Sequence, residues 1–151
     1  MKKALKWTGI VLLAALLVIQ FMPRPAMNIN PAVTEAHISK IVSIPAEVNT
    51  ILEEACMDCH SNNTRYPWYS RIQPIASWMG DHVVEGKKEL IYSEFGNYTK
   101  KRQQKKWQET AEMVRDKEMP LKSYTYTHPG ARLSAEDRAL LVSWAESQIQ
   151  D

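Results

Sequence analysis

Residues 56–60 read Cys-Met-Asp-Cys-His, and the two cysteines in this run are the only two in the chain. With no further thiol, a four-cysteine zinc site is excluded, and so is a disulfide framework of several bridges. What the spacing does suit is covalent haem attachment. Two thiols separated by two residues reach the two vinyl groups on one porphyrin edge, and the adjacent imidazole lies under the iron. A fold that uses the motif in this way must close around a large flat apolar group. Two other readings stay open, a redox dithiol and a short-loop disulfide in an exported domain. A thioredoxin-type dithiol should follow a buried strand in a βαβ pattern, and no such strand precedes Cys56.

The N-terminus supplies a compartment. Lys2, Lys3 and Lys6 precede a charge-free stretch from Trp7 to Met22. This predicts an N-terminal membrane anchor or signal over residues 1–22, positive end inside. The flank Met22-Pro23-Arg24-Pro25-Ala26-Met27 lacks the small residues of a cleavage site, which favours an uncleaved single span. The stretch is shorter than the ~20 residues of a full span, a gap that tilt or local thinning can cover. The expected localisation is a bacterial inner membrane with the rest of the chain in the periplasm; the alternative is a cleaved, soluble periplasmic protein.

The chain has 19 basic and 17 acidic residues. Lys2, Lys3, Lys6 and Arg24 all fall within residues 1–30, where there is no acid, so 15 basic residues face 17 acids in the remainder, about −2. Nucleic acid is therefore not an expected partner. The run Lys100 to Lys106 reads first as a solvated helix face and second as a dock for an acidic redox partner.

Pro23, Pro25, Pro31 and Pro45 punctuate a stretch without periodicity, predicting a linker over 23–44 and one domain over 45–151. Within that domain the periodicity is helical. Val48, Ile51, Leu52 and Ala55 follow Pro45 at helix spacing; Ile75, Trp78, Met79, His82 and Val83 form a second stripe; Trp107, Ala111 and Val114 share a face of a third helix from about Thr99 to Lys117. Ser134, with Asp137 three positions on, starts a fourth helix that buries Leu140, Leu141, Trp144 and Ala145. The fold class expected from periodicity is all-α, one small domain of about four helices behind the N-terminal helix.

The segment from Val48 to Trp144 resembles the bacterial haem-binding domain family, a c-type cytochrome module. The matching pieces are CMDCHSNNTRYPWYSRIQP at 56–74, DHVVEGKKEL at 81–90, EMP at 118–120 and HPGARLSAEDRALLVSWA at 128–145. The resemblance implies covalent haem and an exported electron-transfer role. More loosely, the order of helix, CxxCH, long loops, Met-Pro and C-terminal helix is similar to class I cytochromes c.

One haem c per chain is then expected, with thioethers at Cys56 and Cys59 and His60 as proximal iron ligand. For the sixth position Met119 is chosen, because Pro120 pushes it out of the helical region and lets it project from a loop. His82 is the runner-up, an imidazole on an apolar stripe; Met79, His128 or an open site follow, and His37 is weaker. Arg65, Trp68, Tyr69 and Arg71 are candidate partners for the haem carboxylates, or an aromatic loop closing the core. The primary reading is a membrane-anchored electron carrier with protein redox partners. The others are a five-coordinate haem sensor or peroxidase-like enzyme using His82 or Arg71, and a haem-free exported dithiol protein. A phosphate-cradling glycine loop, an HExxH site and a nucleophile elbow are all missing, which leaves hydrolase chemistry without residues.

Overall fold

The computed structural model describes residues 2–149 and is all-α among them. Its helices are α1 (Lys2–Ile19), α2 (Ile38–Ile41), α3 (Ala46–Ala55), α4 (Met57–His60), α5 (Ile75–Glu89), α6 (Lys100–Arg115), α7 (Lys122–Thr127) and α8 (Ala135–Ser147), with 3-10 turns at Trp68–Arg71, Tyr92–Asn97 and Pro129–Ala131. An isolated bridge pairs Ile29 with Asn63.

The helix starts follow capping chemistry. The Thr99 hydroxyl accepts from the Arg102 amide at the head of α6. At the head of α8, Ser134 and Asp137 satisfy each other's backbone amides in a capping box. At its other end α6 stops with Lys117 at φ 63°, in the left-handed region, and the Glu118 amide returns to the Met113 carbonyl.

The core forms where α3, α6 and α8 meet. Trp107 of α6 and Trp144 of α8 pack edge to face with centroids 5.3 Å apart, and Phe95 lies 4.6 Å from Trp107 on the other side. Val48, Leu52 and Leu141 are completely buried beside them. Of the face predicted for α8, Leu141, Trp144 and Ala145 are buried and Leu140 is 39% exposed.

Residues 23–44, read as a linker, lie against the domain along much of their length. Ile38 of α2 is fully buried. The Gly96 amide donates to the Ala36 carbonyl, and the amides of Asn30 and Thr64 donate to Asn62 and Asn28 carbonyls. Asn28 gathers the segment: its Nδ2 donates to the Ser61 carbonyl and to Thr64, and its Oδ1 accepts from Lys87 Nζ at 2.7 Å. Ile38, these backbone bonds and the isolated polar contacts of Asn28 hold the segment on the helices that follow.

α1 is apolar and exposed along its length, with Trp7 66% and Val18 67% accessible. It ends at Ile19, where Gln20 turns its side chain to the backbone of Gln73. The charge-free helical part, Trp7–Ile19, therefore rises only about 20 Å. No helix among the described residues is long and apolar enough to cross a membrane.

Candidate functional site

The end of α3 leads directly into the Cys-Met-Asp-Cys-His run, which forms the single turn α4. The Cys59 and His60 amides both donate to the Cys56 carbonyl. Of the three side chains, Cys56 packs against the hydrophobic core, while Cys59 and His60 are half-buried.

α5 crosses this turn at Gly86, in backbone contact. A Cβ at Gly86 would come within 2.8 Å of the Cys59 carbonyl oxygen and 3.0 Å of the Cys59 Cβ, so a side chain there would force the elements apart. The approach delivers two carbonyls to His60, whose Nδ1 lies 3.0 Å from the Gly86 oxygen and 3.1 Å from the Leu90 oxygen. A carbonyl can only accept, so the proton is on Nδ1 and the Nε2 lone pair is presented to a metal. Desolvation lowers the His60 pKa, against the pull of those two carbonyls, and keeps the ring in its neutral, ligating form.

The two thiols are unpaired. Burial, followed by the neighbouring Cys59, pushes Cys56 up to about 12; burial, followed by Asp58, pushes Cys59 up to about 11. A redox dithiol needs a depressed pKa to furnish thiolate at neutral pH. The site has the opposite bias.

Cys59 opens onto a cavity of about 320 Å³. α5 lines it with Ile75, Trp78, Met79 and His82, and Tyr69, Leu121, Tyr124 and His128 are further lining residues. Of the apolar stripe read for this helix, Val83 is buried while Ile75 and Trp78 stay 39% and 48% exposed; Ala76 and Gly80, outside the stripe, are buried. His82 donates from Nδ1 to the Trp78 carbonyl at 2.7 Å, and His128 from Nδ1 to the Tyr124 carbonyl at 3.1 Å. His128 also stacks on the Tyr124 ring, 4.0 Å between centroids. Both rings therefore keep Nε2 as the acceptor nitrogen, as His60 does.

The remaining candidates are distributed unevenly. Met119 packs against the hydrophobic core, and its carbonyl accepts from Arg138. It is outside the cavity lining, although Leu121 two residues later is part of it. Tyr69 lines the cavity, while Trp68, on the same 3-10 turn, is 76% exposed and Arg71 is exposed as well. His37 caps α2 through the Ser39 amide.

Arg65 lines the cavity with its guanidinium already engaged. Nε donates to Asp58 Oδ1 at 3.1 Å, and the terminal nitrogens donate to Glu54 Oε1 and to the Glu53 carbonyl. The hydrogen bond to Asp58 is the main cause of an upward shift of the Arg65 pKa. Asp58, which sequence reasoning passed over, is 5% exposed and sits between the two cysteines. It also accepts from the Arg65 amide at 3.0 Å and from the Tyr124 hydroxyl at 2.7 Å. The signal available in sequence was a carboxylate inside the motif with an arginine seven residues on; Tyr124, 66 positions away, gave none.

A small helical domain with two thiols and a carbonyl-oriented imidazole on one short run, of which Cys59 lines an apolar cavity, has the donor set of a haem protein. The match of the haem-binding domain model over residues 14–147 agrees, and the chain belongs to that family. No curated protein and no solved structure matches it.

Proposed function

We propose that this chain is an exported mono-haem c-type cytochrome that carries electrons to or from a protein partner at a membrane surface. Cys56 and Cys59 form the two thioethers and His60 is the proximal iron ligand. The observation that carries the reading is the pair of carbonyls holding His60 Nδ1, because it fixes the tautomer and the ring plane that a proximal ligand needs. Bound haem supplies a one-electron couple. The protein's share is to fix the ligand, exclude water with the α5 wall, and set the electrostatics around the iron.

Met119 is assigned the sixth position, reached through the cavity segment that begins at Leu121. Tyr69, Trp68 and Arg71 are assigned to the haem carboxylates; the guanidinium of Arg65 serves Asp58 first. A second reading, five-coordinate haem sensing or peroxidase-like chemistry, is favoured by a different observation: His82 and His128 line the cavity while Met119 packs on the core. Carbon monoxide separates the two. A six-coordinate carrier binds it poorly when reduced at neutral pH, and Met119→Ala opens the iron; rapid binding by the unaltered protein selects the second reading.

Three lysines in the first turns of α1, which is otherwise apolar and has no buried residue, support insertion of the N-terminus into a membrane, with the domain beyond it. Membrane fractionation and intact mass test this, since a mature protein beginning after Met22 is soluble. The deciding test of the whole reading is acid-acetone extraction of the denatured protein. Colour stays with the polypeptide, and Cys56→Ala with Cys59→Ala abolishes it. Colour in the organic layer from the unaltered protein ends the c-type reading.

A further inference from the structure

We infer that Asp58 is a positioning residue that latches α7 to the haem-attachment turn, so that the Tyr124 and His128 wall of the cavity is held by the motif itself. The inference rests on the haem reading above. Asp58 is nearly inaccessible, and its carboxylate receives three donors from two directions: the Arg65 amide and Nε from the following loop, and the Tyr124 hydroxyl from α7. Its carbonyl takes a further bond from the Thr64 hydroxyl at 2.6 Å.

α7 has few other ties. It is six residues long with no buried side chain, and a helix of that length is not stable alone. Its second link in this direction is also a Tyr124 bond, 3.3 Å to the Glu54 carbonyl. Tyr124 then carries His128, through the ring stack and the Nδ1 hydrogen bond to its own carbonyl. A carboxylate between the two haem-bearing sulfurs thus reaches a second imidazole of the cavity lining through one phenol. Loss of the Tyr124 hydroxyl frees α7 and His128 while α4 stays bonded to its loop; loss of the Asp58 charge loosens both.

The test uses full-length haem-loaded protein as wild type, Tyr124→Phe, Asp58→Asn and the control Tyr126→Phe, whose ring is 76% exposed on the same helix. Hydrogen exchange of the 122–127 amides and the rate of carbon monoxide binding to ferrous protein are read together. A hydrogen bond to a buried charge is worth enough to change the docked population roughly tenfold or more. Tyr124→Phe is expected to raise both quantities by about that factor with thioether content unchanged, Asp58→Asn to add faster exchange over 61–67, and Tyr126→Phe to match wild type. Unchanged α7 exchange in Tyr124→Phe overturns the latch. Faster exchange with an unchanged binding rate overturns its role at the cavity, leaving a bond that only holds structure. If the wild type carries no thioether haem, the functional reading fails separately, and exchange in the haem-free chain still decides whether the latch exists.

Discussion

Where α6 crosses α8, Trp107 and Trp144 meet edge to face and are 3% and 7% exposed. Where α5 passes the turn at 56–60, Trp78 and Ile75 border a cavity and remain part open, although their spacing is as regular as that of the α6 face. The first region is completed by the chain's own side chains. In the second, apolar surface is left uncovered beside Cys59, and a planar apolar group is what would cover it. Regular helical spacing therefore marks two different things in this molecule, a seam between helices and the wall of a binding site.

The contrast is sharpened most by paired truncations. Trp144→Ala should cost about 3–5 kcal/mol in haem-free protein, because a filled seam becomes a void. Met79→Ala, on the cavity wall, should cost about 1 kcal/mol or less there and change the visible spectrum of the loaded protein. Equal losses in chemical denaturation would remove the distinction. Gly86→Ala comes next, at about 1–3 kcal/mol, since the added methyl meets the Cys59 backbone. It should also shift the visible bands by moving the carbonyls that hold His60, and a variant with normal stability and spectrum would mean that the crossing is looser than its distances say.

Alkaline pH probes both regions at once. Burial, then the hydrogen bond to Asp58, raises the Tyr124 pKa, and burial raises that of Tyr92. Above about pH 10 the unfolded chain loses these phenol protons while the folded chain keeps them, so stability is intact below that pH and falls as pH rises. Urea titrations should show a shallower fall for Tyr124→Phe, with the Tyr92 part remaining; identical slopes would contradict the raised value. The smallest effect is that of Ser134→Ala, about 1 kcal/mol through loss of the α8 cap. The haem spectrum should not move, and a shift would show that the packed seam and the cavity are coupled.

The seam was legible in the amino-acid order because it is built from periodic apolar residues and short-range caps. Val48 and Leu52, Trp107 and Val114, and the Ser134–Asp137 box each announce themselves within a few positions. Cys56, Cys59 and His60 fall within five positions, so their gathering on one short run is legible as well. What surrounds it was not. Asp58 finds Tyr124 across 66 positions and Asn28 finds Lys87 across 59, through isolated polar contacts that leave no period to read. The stripe on α5 was read correctly as helical, but one-dimensional spacing does not say whether a partner helix or an empty space faces it. Met119 was chosen from its proline neighbour, a local rule that carries no information about which side of the core the thioether meets.

The stretch between α1 and α3 has a mechanical consequence. A free chain covering residues 23–44 would let its two ends wander roughly 25 Å apart and back. Here Pro25 fills the space beside Gly80, Arg24 bonds the Arg71 carbonyl, and Asn28 is fastened to Ser61, Thr64 and Lys87. That turns a leash into a bracket. The domain is held at a set stance to α1, and any strain applied along α1 arrives first at Gln73 and Arg71, before it reaches the loop behind His60 through Asn28.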